Sequence, residues 1–90
     1  MQVQQTIRDK LENSFAPLRL VIVDDSHKHA GHAEASPKGE THFSVELVSA
    51  KFIGKSRAAR HRLVHKVLAV ELSARVHALS LHLLSPEETT

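Results

Sequence analysis

The sequence predicts an α+β domain, with helices packed on one face of a small three-stranded sheet. Three observations carry the prediction. Residues 4–15 and 57–72 repeat apolar side chains at helical spacing. Residues 18–26, 41–52 and 76–84 are short runs that are β-branched or alternate in polarity. The resulting order is α-β-β-α-β, with no internal repeat to suggest a solenoid.

The first helix runs from about Gln4 to Phe15. Val3, Ile7, Leu11 and Phe15 recur every fourth position as one apolar stripe, and Pro17 stops the run. "LRLVIVDDS" (Leu18–Ser26) is a short β-branched strand that ends in an Asp-Asp-Ser turn signal. Residues 26–40, with Gly31, Pro37 and Gly39 among small and polar neighbours, read as a loop. In "THFSVELVSAKF" (Thr41–Phe52), Phe43, Val45 and Leu47 face one way while His42, Ser44 and Glu46 face the other, as in a half-buried strand. A helical turn has room to form before the second helix. Gly54 breaks the chain, and Ser56 is an N-cap for a helix from Arg57 to Leu72. Ala59, Leu63, Val64, Val67, Leu68 and Leu72 form its broad apolar face. The last strand, "VHALSLHLL" (Val76–Leu84), is closed by Pro86.

At 90 residues the chain makes one small domain, 1–90, able to bury only about 60–65% of its unfolded surface. It contains no cysteine, which excludes a disulfide framework and any self-contained thiolate centre. No apolar run approaches the roughly 18 residues that span a bilayer, and "MQVQQTIRDKLENSF" lacks a signal-peptide core. The expectation is a soluble cytoplasmic protein with no membrane partner. The net charge of +2 is too small to mark a polyanion binder, although the pI is near 9.3. Three Phe, with no Trp or Tyr, weaken any nucleic-acid model built on stacking platforms. Eight histidines make the surface charge strongly pH-dependent.

The histidines are the candidate chemistry. "SHKHAGH" sets His27, His29 and His32 within one loop, and His42 follows ten positions after His32. The spacing of His29 and His32 permits chelation if the backbone cooperates, but a flexible loop loses ordering entropy on binding metal. A solvated polar loop is the competing reading. His42 opens a strand on its polar side, where it makes turn hydrogen bonds. His77 falls in phase with Leu79, Leu81 and Leu83, and on pattern alone it is a strand-end histidine bonded to backbone.

His61 and His65 have an HxxxH spacing that can bind Zn²⁺, but no third ligand sits in register and a solvated helix face explains them. Along the same helix Arg57, Arg60, Arg62 and Lys66, with Lys51 and Lys55 nearby, form a basic row. Phosphate contact, docking of an acidic partner and simple solubility all fit such a row. The turn Gly54-Lys55-Ser56-Arg57 lacks the second glycine of a GXXG nucleic-acid clamp. No cysteine nucleophile, P-loop, GxSxG, GxGxxG or paired carboxylates appear, so the chain does not read as an enzyme.

Several ordered motifs resemble one family. "ETHFSVELVSAKFIGKSRAARHRLVHKVLAVEL" followed by "VHALSLHLLSPEE" is similar to BolA proteins. The shared features are the Thr-His-Phe strand start, Phe52-x-Gly54, Arg60-His61-Arg62 and Val76-His77-Ala78-Leu79; the first helix and "VDDSHKHAGH" also fit, so the likeness spans nearly the whole chain. It implies an α-β-β-α-(α)-β fold resembling a type II KH domain, with helices on one face of a three-stranded mixed sheet. It also implies a heterodimer with a monothiol glutaredoxin that shares a [2Fe-2S] cluster in iron–sulfur trafficking or iron signalling. Some bacterial relatives are described as transcriptional regulators of morphology and stress genes.

In the family the Val-His-Ala-Leu histidine is the expected cluster ligand, which carries over to His77. The loop supplies a second His or Cys. Counting forward through "DDSHKH" points to His29, and counting back from "ETHF" points nearer His32. The glutaredoxin cysteine and a glutathione thiol would then hold the other iron, and the isolated protein would be a cluster-free monomer. The imidazoles must be neutral to ligate, so acidification below about pH 6 competes with binding. The second expectation is DNA binding through Arg57, Arg60, His61, Arg62 and Lys66, steeply weakened by salt.

Overall fold

The computed structural model describes residues 2–25, 42–74, 76 and 78–89. In chain order they form α1 (Gln2–Phe15), β1 (Arg19–Asp24), β2 (His42–Val48), a 3₁₀ turn (Ala50–Phe52), α2 (Arg57–Val67), α3 (Ala69–Ala74), β3 (Ala78–Leu84) and a closing 3₁₀ turn (Pro86–Thr89). The sheet order is β1-β2-β3. β1 and β2 are antiparallel, from Arg19 opposite Val48 to Asp24 opposite Phe43. β2 and β3 are parallel, from His42 beside Ala78 to Val48 beside Leu84. A parallel pair needs a long crossover, and α2 and α3 supply it. The sheet is mixed and the class is α+β, as the sequence predicts.

Alternation decides which face is covered. Phe43, Val45, Leu47, Ile22 and Leu83 are buried against the α1 stripe of Ile7, Leu11 and Phe15 and against Val64 and Leu68 of the crossover. Phe52 joins them, with its ring centroid 5.2 Å from that of Phe15. On the other face Val21 and Val23 are exposed, and Arg19, Glu46 and His82 form a polar row across all three strands. The Arg19 guanidinium beside Glu46 holds that carboxyl below its ordinary value, and His82 adds to the effect.

Several boundaries differ from the periodic reading. The second strand stops at Val48, because buried Ser49 turns the chain into the 3₁₀ turn. The Ser49 hydroxyl donates to the Phe15 carbonyl at 2.6 Å, and Lys51 Nζ donates to the Ser14 carbonyl at 2.8 Å. Both carbonyls belong to the last turn of α1, where helical partners have run out. The turn after β2 therefore caps α1. Ala16 ends that helix at φ 44, in the left-handed region, just ahead of Pro17.

The helix predicted over Arg57–Leu72 is two helices, parted at Leu68 (φ −101, ψ 20). No glycine or proline marks the break. The bend seats Leu68 in the core, and Glu71 of α3 accepts from Lys10 of α1 at 2.7 Å. The Ser56 cap is as predicted, its hydroxyl accepting from the Ala59 amide at 3.1 Å.

Candidate functional site

The antiparallel and parallel pairings bring the end of β1 and the starts of β2 and β3 to one end of the sheet. The Asp25 amide donates to the His42 carbonyl at 2.7 Å, joining the two chain positions that flank residues 26–41. Ala78 lies beside His42 across the parallel ladder. Neighbouring strands are about 5 Å apart, so Asp25, His42 and Ala78 span roughly 10 Å of sheet end. A depression of about 220 Å³ lies there, lined by Asp25, His42, Ser44, Ala78, Leu79 and Ser80, among others. The Ser44 hydroxyl donates to Asp25 Oδ2, linking β2 to the chain just beyond β1. His29, His32 and His77 lie outside the described residues.

His42 corrects the reading of its strand. The sequence places it on the strand's polar side, yet it is only 6% exposed. β2 is the central strand, so the start of β2 has a neighbour on each flank, and alternation in one strand cannot report that. Ser44 and Glu46, in phase with it, are half-buried.

The basic helix divides in two. Arg57, Arg62 and Lys66 are exposed, whereas Arg60 is 9% exposed and is no phosphate contact. Its guanidinium donates to the Lys55 carbonyl at 3.0 Å, the Leu83 carbonyl at 3.0 Å and Glu88 Oε1 at 2.5 Å. It also lies over the Phe52 ring, 5.8 Å from the centroid. Arg60 therefore ties α2 to β3 and to the closing turn.

Glu88 accepts from the Ser85 amide at 2.7 Å and the Ser85 hydroxyl at 2.9 Å. The Ser85 amide, then Arg60, then the Ser85 hydroxyl hold its carboxyl down at about 2. "SPEE" is a capping-box pattern with proline at the first turn position, so this half of the motif was legible in the sequence. That Glu88 would also receive Arg60 was not, because the two are 28 positions apart.

His61 is half-buried and His65 exposed, with ring centroids 6.4 Å apart. Arg57, Arg62 and Lys66 share their helix, a cationic setting that opposes a divalent ion. Among the described residues no group of three or more His, Asp or Glu converges as a metal site. Among them, too, no helix is long and apolar enough to cross a membrane.

Comparison with known proteins adds family evidence. The family model described as "BolA-like protein" matches residues 11–88. The DNA-binding transcriptional regulator BolA of Escherichia coli is 41% identical over 88 residues, covering 98% of this chain and 80% of that protein. The chloroplastic/mitochondrial SufE-like protein 1 of Arabidopsis thaliana is 45% identical over 86 residues; the match covers 91% of this chain but only 23% of that protein. The solved BolA domain of SufE1 from the same plant superposes with a TM-score of 0.88 at 42% identity, covering 98% of this chain and 96% of that one.

Proposed function

This chain belongs to the BolA-like family, and from that premise we propose that it is a non-enzymatic adaptor that joins a monothiol glutaredoxin and shares a [2Fe-2S] cluster with it. The glutaredoxin cysteine and a glutathione thiol hold one iron of this cargo. His77 and one loop histidine, His29 or His32, hold the other. The observation that carries the reading is the meeting of three chain positions at one sheet end. Ala78, one peptide bond from His77, neighbours His42, and His42 is bonded to Asp25, where the histidine-rich segment departs. The donor set fits the cargo: with no cysteine in the chain, its side-chain ligands of choice for iron are imidazoles. Paired imidazoles on one iron, as in Rieske centres, raise the potential relative to all-thiolate ligation.

The test mixes the protein with a cluster-loaded monothiol glutaredoxin and follows visible circular dichroism and EPR. A new spectrum is expected, distinct from that of the all-thiolate glutaredoxin homodimer and abolished by His77→Ala. Separate His29→Ala and His32→Ala variants identify the loop ligand. A spectrum that stays that of the homodimer, or indifference to His77→Ala, rules the reading out.

A second reading, regulation through DNA, is favoured by the name of the Escherichia coli relative and by the exposed Arg57, Arg62 and Lys66. Three phosphate contacts give a slope of log K against log salt of roughly −3. Arg62→Glu should weaken specific binding; equal affinity for a promoter and random duplex removes this reading.

A further inference from the structure

We propose that the groove between the end of α1, the 3₁₀ turn after β2 and the later turns of α2 docks an acidic, amphipathic helical segment of a protein partner. This goes beyond the cluster-sharing role and uses the opposite end of the sheet. Lys51 lies three positions beyond Val48, the last residue of β2, and His42 begins that strand, so the two ends are about 20 Å apart.

The groove encloses about 420 Å³. Its floor is apolar, made by Phe15, Leu63 and Val67, and its rim carries Lys51, Lys55 and Lys66. Among the described residues no carboxylate lines it. Lys51 Nζ is pinned by the Ser14 carbonyl, whereas Lys55 and Lys66 make no side-chain hydrogen bond or ion pair with a described residue.

Two independent features thus select the occupant. Three cations gathered around a floor with no anion among the described residues call for negative charge. A half-covered apolar floor calls for large apolar side chains. Nucleic acid satisfies only the first, leaving Leu63 and Val67 uncovered, and a flat vesicle surface does not fill a concavity. A helix with apolar residues at i, i+3, i+4 and i+7 and carboxylates beside them satisfies both.

The probe is a synthetic 16-residue helical peptide with leucines at those positions and glutamates elsewhere. It is titrated into the ¹⁵N-labelled full chain and followed by NMR. The expected result is shifts clustered at Ser14, Lys51, Leu63, Lys66 and Val67, with affinity lowered tenfold or more in the Lys55→Glu/Lys66→Glu double variant. Both lysines are exposed and have no side-chain partner among the described residues, so that variant keeps the fold, as far-UV circular dichroism of the same sample would report. Control titrations use the same peptide with lysine for glutamate, a polyglutamate 16-mer, duplex DNA and phosphatidylserine vesicles. Absence of shifts at these residues up to millimolar peptide overturns the proposal. So does an equal response to polyglutamate, DNA or vesicles, which reduces the groove to a charged face.

Discussion

Arg60 and Arg62 lie two positions apart in a row of cations, and their surroundings give them opposite roles. Arg60→Ala removes the donor to the Leu83 and Lys55 carbonyls, with an expected loss of about 2–3 kcal/mol in urea unfolding. Arg62→Ala, at an exposed position, should change stability by less than about 0.5 kcal/mol. Equal costs would mean that Arg60 does not clamp the closing turn. Glu88 gives the matching pH prediction. Its folded carboxyl titrates at about 2, below the ordinary 4.5. Its contribution is therefore full above pH 4.5 and is lost as pH falls toward 2. Glu88→Gln should flatten the acid limb of the stability curve across that window, as measured by thermal unfolding at stepped pH. An unchanged limb would place the acid sensitivity elsewhere.

At the scale of elements, α1 is held by residues that its own pattern does not contain. Its stripe is legible as a four-residue repeat, but its C-terminal carbonyls are met by Ser49 and Lys51, more than thirty positions later. Ser49→Ala leaves a buried carbonyl without its donor and should cost about 1–3 kcal/mol. Ala16, at φ 44, is an unfavoured residue at the end of the same helix. Ala16→Gly should raise stability by about 0.5–1 kcal/mol, seen as a higher denaturant midpoint with an unchanged slope. The split at Leu68 belongs to this scale too. Helical periodicity runs through residues 57–72 without interruption, because both helices present apolar residues to the same core.

For the whole molecule, the sheet separates two candidate surfaces by the length of β2. Glutaredoxin bound at the His42 end should leave the peptide affinity of the lysine-rimmed groove unchanged, which a peptide titration with saturating glutaredoxin would test. Competition between them would mean that one surface serves both. The fold class, the Ser56 cap, the covered sheet face and a cysteine-free composition were all determined by the sequence alone. Each is a property of neighbours within a few positions, or of composition, and a local pattern suffices to state it. Only the tertiary structure decided that Arg60 is buried against Glu88, that His42 is enclosed in a central strand, and that Asp25, His42 and Ala78 share one sheet end. Those facts depend on which distant segments become neighbours. Strand pairing and helix docking settle that by burying the most apolar surface, and no repeat of two or 3.6 residues records it.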